Sequence, residues 1–237
     1  MLNELKRAEK ELPHTYRVKE LKECLDSKDI SLVAIDVDNT VVDTSPFYKD
    51  YVRRINIELA PEIDANKDPE LIADEVSNII WTSYREGGYK PLLIAERYID
   101  ALTEYTQGNL KDSLLLRIKA HFSDFYLKSP MVFGGTPKFI NSFLASGKAI
   151  VFHSHAQDEW TEIKVREIEK ECGLDKYDIT LPYLGTPLEE DKDTQSWLKA
   201  YSLAEEYYGV NIKPENVLNI GDNWKADIYP GLKAGCR

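Results

Sequence analysis

Cysteine is scarce in this sequence, and the three present (Cys24, Cys172 and Cys236) lie at no spacing used by a zinc site or a redox pair. That argues against a disulfide scaffold and reads as reduced thiols in a cytoplasm. Long apolar runs are missing too: nowhere do eighteen apolar residues follow one another, so no membrane span is expected. The start, Met1-Leu-Asn-Glu-Leu-Lys6, lacks the apolar stretch of a secretion signal. Positive charge is outweighed, 30 Lys and Arg against 41 Asp and Glu, and the net charge of −11 speaks against a nucleic-acid partner, which calls for a basic stripe. There is no internal repeat and no low-complexity tract. What remains is an ordinary globular composition, 43% hydrophobic and 30% charged, over 237 residues. That length holds one large domain, or a core with an insert.

One stretch organises the chain: Ser31-Leu-Val-Ala-Ile-Asp-Val-Asp-Asn-Thr40. Four apolar residues, Leu32 to Ile35, lead directly into Asp36. Asp38 and the hydroxyl of Thr40 follow at intervals of two. A short continuous apolar run suits a strand buried on both faces, as in a parallel sheet. Asp36 then stands at the strand's carboxyl end, where open α/β sheets bind ligands. Two carboxylates so close repel each other and are costly to desolvate, so a fold tolerates them best around a cation. Oxygen ligands of this kind suit Mg²⁺.

The rest of the chain divides by pattern. Residues 1–30 read as an N-terminal helical extension, two charged helices separated by Pro13 and packed outside the sheet. Ser45 and Pro46 form a helix-start signal, and everything from there to about residue 131 has helical spacing, with no strand. Segments such as Tyr51/Ile55/Leu59, Leu71/Ile72/Val76/Ile80 and Ile118/Phe122/Phe125 alternate with Pro61, Gly87-Gly88, Pro91 and Gly108. This predicts an all-helical insert, residues 46–131, with a small core of its own. Gly134-Gly135 then gives a flexible joint, and Thr136-Pro137 starts a helix that Gly147 closes. Strands are expected at Ala149–Phe152, at Tyr177–Leu181 and at Val217–Ile220, with helices between them. Alternation of this kind predicts a mainly parallel sheet with helices on both faces, a Rossmann-like three-layer α/β/α core built from residues 31–45 and 132–237.

In a parallel sheet, Asp36/Asp38, Ser154 and Asp222 all fall at the carboxyl ends of strands, on one edge. Lys192 precedes a helix that can bring its ammonium there. Carboxylates serve a cation, while a hydroxyl and an ammonium serve an anion, and a phosphate bridged to Mg²⁺ needs both. A carboxylate can also attack phosphorus and form an aspartyl phosphate. These four pieces together resemble the haloacid dehalogenase-like hydrolase superfamily. Asp36-Val-Asp-Asn-Thr40 is similar to its first motif, DxDxT, and Ala149–Ser154 to its second. Lys192 is similar to the third, and Gly221-Asp-Asn-Trp-Lys-Ala-Asp227 to the fourth. The helical insert falls where that family carries its C1 cap. Two departures stand out. His155 occupies a position where Asn or Gly often follows the second motif, and the chain stops at Gly235-Cys-Arg237, where relatives usually continue into another strand.

The resemblance implies roles. Asp36 is the expected nucleophile, and Asp38 the acid and base that protonates the leaving oxygen and then activates water. Ser154 and Lys192 hold phosphate oxygens, and Thr40 belongs to the same phosphate-binding loop and orients it. Mg²⁺ is bound by Asp36, the backbone carbonyl of Asp38 and Asp222, with Asp227 either ligating directly or supporting those ligands from behind. Dehalogenase members lack the second acid, because a halide leaves without a proton, so Asp38 favours phosphoryl transfer. The expected activity is a Mg²⁺-dependent phosphatase acting on a small phosphorylated metabolite, with the cap closing over the site on hinges near 44–46 and 132–136. A phosphotransferase or sugar-phosphate mutase uses the same residues, and a non-catalytic phosphate-binding protein is the third reading. His155, Arg85 and Lys90 are candidate substrate contacts, although His153 and His155 also suit structural roles, and Arg85 and Lys90 a plain helix connection. Neither the substrate nor the oligomeric state is legible.

Overall fold

The computed structural model describes residues 16–86, 94–187 and 190–237. The predicted Pro13 break and the first N-terminal helix lie outside these residues, as do Gly87-Gly88, Lys90 and Pro91 and the side chain of Arg85. The chain forms two compact units, Met1–Asp43 with Ser129–Arg237, and Thr44–Lys128.

The first unit is built on four parallel strands in the order β3-β2-β1-β4: β1 (Leu32–Asp36), β2 (Ala149–Ser154), β3 (Tyr183–Gly185) and β4 (Val217–Ile220). The α/β reading is therefore borne out. All five residues of β1 are buried. Its apolar run divides by alternation, since successive side chains point to opposite faces. Val33 and Ile35 join Ile150 and Phe152 in one core, with Val18 and Leu25 of helix α1 (Tyr16–Asp26). Leu32 and Ala34 join Ala149 and Val151 in the other. The first core is closed by α6 (Thr136–Ala145) and α7 (Asp158–Glu171), the second by α8 (Thr194–Tyr208), through Trp197, Ala200, Tyr201 and Ala204. A buried lysine anchors α1: Lys148 Nζ donates to Ile30 O at 2.8 Å and pairs with Asp26.

Two local expectations are corrected. The strand expected at Tyr177–Leu181 lies later, at Tyr183–Gly185. A 3₁₀ turn at Leu174–Tyr177 precedes it, and Asp178 adopts φ 51°. Ile179 and Leu181 are buried alternately as in a strand, but the Leu181 N–H is taken by Glu169 Oε1 at 2.6 Å, not by a ladder partner. The helix-start residues also differ. Thr136 lies inside α6, and its hydroxyl donates to Val41 O at 3.0 Å. The helix opened by Ser45-Pro46 already begins at Thr44.

Beyond β4, helix α9 (Tyr229–Ala234) ends at Gly235, with φ 97°. The Arg237 backbone then pairs with β4: its N–H donates to Val217 O at 2.9 Å and its carbonyl accepts from Asn219 N at 3.1 Å.

The second unit contains α2 (Thr44–Ile63), α3 (Pro69–Glu86), α4 (Ile94–Tyr105) and α5 (Asp112–Phe125). Their apolar stripes, among them Val52/Ile55/Leu59, Ile72/Val76/Ile80 and Ile118/Phe122/Phe125, are buried, whereas Leu71 is 49% exposed, one position off its stripe. Pro61 falls in the final turn of α2, which stops two residues later. One polar group is sealed inside. Asn56 Oδ1 accepts from the Tyr98 hydroxyl at 2.5 Å, and Asn56 Nδ2 donates to Ser77 Oγ at 3.3 Å. Burial pushes the Tyr98 phenol far up, so it stays a neutral donor. Leaving that donor unpaired costs about 1–3 kcal/mol, whereas removing both partners is close to neutral. Urea unfolding is expected to show Asn56→Leu destabilised by about 2 kcal/mol, with most of the loss recovered in Asn56→Leu/Tyr98→Phe.

Candidate active site

Because the strands are parallel, their carboxyl ends share one edge. Asp36 closes β1 opposite His153 of β2, Ser154 follows His153, and Gly221-Asp222 follows β4. After β1 the backbone turns tightly around the Val37 carbonyl, which accepts from Val41 N at 3.0 Å and Val42 N at 3.2 Å. Asn39 takes φ 61° in this turn, a conformation Asn tolerates better than most residues. The turn returns the Thr40 hydroxyl to Asp36, where it donates to Oδ2 at 2.7 Å.

Lys192 reaches the same point from the N-terminus of α8. Asp193 caps that helix, its Oδ1 accepting from Gln195 N and Ser196 N, and this leaves Lys192 pointing inward, with its side chain 1% exposed. Its ammonium donates to Asp36 Oδ1, to Asp227 Oδ1 at 2.7 Å and to His153 O at 3.0 Å. Asp227 is fixed from other sides as well: Asn223 N donates to its Oδ2 at 2.9 Å, and Asn219 Nδ2 to its carbonyl at 3.2 Å. Asn223 also caps the π-helical turn Trp224–Ile228, so Asp222 does not serve as that cap. Gly221 has a steric reason, because a Cβ there would overlap the Asp227 carboxyl group.

Carboxylate oxygens of Asp36, Asp222 and Asp227 lie within 4.8 Å of one another. One ammonium stands among three acids. Burial, reinforced by Asp227 and Asp38 and opposed by Lys192, pushes the Asp36 carboxyl up to about 7. Burial and Asp227 also raise Asp222. For Lys192, burial works downward, but Asp36 and Asp227 outweigh it and hold the ammonium above its ordinary value. A surplus of hard, negatively charged oxygen donors fits Mg²⁺.

Asp38 is engaged elsewhere. Its Oδ2 accepts from Ser154 Oγ at 2.5 Å, and both of its oxygens accept from Lys164 Nζ at 2.8 Å. Any part Asp38 takes in metal binding therefore falls to its backbone carbonyl. Lys164, on α7, is a residue the sequence reading missed. Its one signal is a charged position on the apolar face of that helix, between Thr161, Val165 and Ile168. Of the histidines, His153 is buried edge-on to Trp197 at 4.4 Å, and its Nε2 meets Thr186 Oγ1 at 2.7 Å. Burial holds it well below its ordinary value, and therefore neutral. His155 Nε2 bonds Glu190 O at 2.8 Å. Arg85 and Lys90 cannot be located relative to these groups, because their side chains lie outside the described residues.

No protein-family model and no curated protein matches this sequence. Solved structures do. A predicted phosphoglycolate phosphatase from Haemophilus somnus superposes with TM-score 0.56 at 16% identity, over 88% of this chain and 83% of its own. A haloacid dehalogenase-like family hydrolase from Xanthomonas campestris gives 0.54 at 16%, over 87% and 80%. A 2-haloacid dehalogenase from Pseudomonas syringae gives 0.51 at 19%, over 88% and 84%. The chain thus has the haloacid dehalogenase-like fold.

Two outcomes follow for the acid cluster. Mg²⁺ at a hundredfold excess over its Kd is expected to stabilise the protein by about 2–3 kcal/mol in thermal melts, and Asp222→Asn to remove the rise. Identical melts with Mg²⁺ and with chelator would remove the metal assignment. Gly221→Ala, which crowds Asp227, is expected to cost about 2 kcal/mol in urea unfolding.

Proposed function

We propose that this chain is a Mg²⁺-dependent phosphatase that hydrolyses a small phosphorylated metabolite through a phosphoryl group carried on Asp36. The observation that carries this reading is the meeting of Asp36, Asp222 and Asp227 around Lys192, beside an Asp38–Ser154 pair, at the carboxyl edge of a parallel sheet. The likeness in fold to haloacid dehalogenase-like hydrolases supports it.

Asp36 is the nucleophile. Lys192 and Thr40 each hold one of its oxygens, which fixes the plane of the carboxylate before substrate arrives. Attack on phosphorus forms the bond to Asp36 as the bond to the leaving oxygen breaks, and Asp38 gives that oxygen a proton. Water then attacks the same phosphorus and passes its proton to Asp38. The bond to Asp36 breaks and inorganic phosphate departs. When substrate enters, Ser154 turns its one hydroxyl hydrogen from Asp38, and Lys192 one of its three from its present acceptors, to phosphoryl oxygens. Mg²⁺, held by Asp36, Asp222, Asp227 and the Asp38 carbonyl, would supply positive charge toward those oxygens. Asp38 separates this chemistry from dehalogenation, in which the departing halide needs no proton. The helical unit at 44–128 is assigned to substrate selection, as a cap of the family's kind.

The test is phosphate release from a panel of phosphorylated metabolites with Mg²⁺. Asp36→Asn is expected to lower the rate on the best substrate by on the order of 10⁴-fold or more. Undiminished turnover in that variant would refute the nucleophile. Isomerised sugar phosphate in place of free phosphate would redirect the reading to a mutase.

A further inference from the structure

Lys164 is wholly buried, yet it sits ten residues beyond the second-motif serine, on a helix that carries no motif. Its three donor hydrogens meet three oxygens: Asp38 Oδ1 and Oδ2, both at 2.8 Å, and Ser154 Oγ at 3.0 Å. The Trp160 ring, one turn earlier on α7, lies 4.0 Å from the ammonium and closes its remaining side. Ser154 Oγ donates in turn to Asp38 Oδ2, so serine, lysine and carboxylate form a closed triangle.

Stability gives little reason for such an arrangement. A buried ion pair is often matched or bettered by well-packed apolar residues, because both charges must leave water. Geometry gives a better one. Asp38 lies beyond the end of β1, on the turn through Asn39, where a single bridge to Val42 replaces the continuous ladder that holds Asp36. A carboxylate on a turn has two side-chain torsions to fix. A group that must deliver a proton to a leaving oxygen, and later take one from water, has to lie within hydrogen-bond reach of both. A grip on both oxygens removes that freedom, while the side chain's 21% exposure leaves Asp38 open on another side.

We propose that Lys164 is a positioning residue, which fixes the orientation of the Asp38 carboxyl group, so that its proton passes to the departing oxygen and is replaced by the one that water gives up in the second step. The proposal rests on the phosphatase reading above. It implies that this protein is built for esters whose alkoxide leaves poorly, since only those depend on a well-placed proton.

The test compares kcat/KM, with Mg²⁺ present, on phenyl phosphate and on para-nitrophenyl phosphate. The two esters are of similar size, but nitrophenoxide departs with little protonation and phenoxide does not. Lys164→Met is expected to lower kcat/KM on phenyl phosphate by on the order of 100-fold and on the nitrophenyl ester by less than about tenfold. Asp38→Asn should shift the ratio in the same direction, and adding Lys164→Met to it should shift the ratio no further. Lys164→Gln, which keeps a donor to one oxygen, should give the same ordering and serves if the Met variant does not fold. Equal losses on the two esters, or additive losses in the double variant, would overturn the role and leave Lys164 as packing. No phosphate release from either ester by the unaltered protein, with Mg²⁺ present, would overturn the phosphatase reading itself and this role with it.

Discussion

The buried ammonium of Lys192 ties together the acids of the candidate site. Lys192 lies between Asp36 and Asp227, acids that are far apart in the chain and come together only at the sheet edge. Without a positive charge between them, two carboxylates in a water-poor pocket would repel each other and carry the full cost of desolvation. The lysine is delivered by an ordinary device: Asp193 caps α8, and the residue before the cap turns inward. Trp197, one turn into the same helix, donates its indole N–H to Ala226 O at 2.8 Å, which ties the helix to the turn bearing Asp227. One cation does not balance three acids, however, and the raised Asp36 and Asp222 register the surplus. That residual negative charge is what a divalent cation would relieve.

The same logic is repeated two residues along the first motif. Asp36 and Asp38 each have a buried lysine, from different helices on opposite faces of the sheet: Lys192 ahead of α8 and Lys164 on α7. The two acids therefore do not share one environment. Asp36 stands with the acids of the fourth motif, and Asp38 with the serine of the second. In the proposed reaction, the division of labour between nucleophile and proton carrier would begin in this separation, since groups in distinct surroundings can take distinct protonation states.

The helical unit follows a different rule. Its core is a set of apolar stripes that face one another, aromatic in part, with Phe125 meeting Phe47 at 5.1 Å and Tyr51 at 5.0 Å. A sealed polar junction in it, Asn56 with Tyr98 and Ser77, links three of its helices and demands one arrangement of them.

The sequence by itself determined the sheet and its motifs. Leu32–Ile35 suits a strand covered on both faces, and such strands place their terminal acids on a common edge. Period-3.6 stripes likewise marked the insert as helical. Only the tertiary structure decided which strand residues pair. Ile179 and Leu181 have the right alternation, but the segment that aligns with β2 begins at Tyr183, and the Leu181 N–H goes to a side chain, that of Glu169. The partner of Lys164 also came from tertiary structure alone. In sequence the lysine is one charge among many on a charged helix, and its function depends on facing a carboxylate 126 positions away. Local pattern records which face a residue belongs to; it holds no trace of what the fold will set against that face.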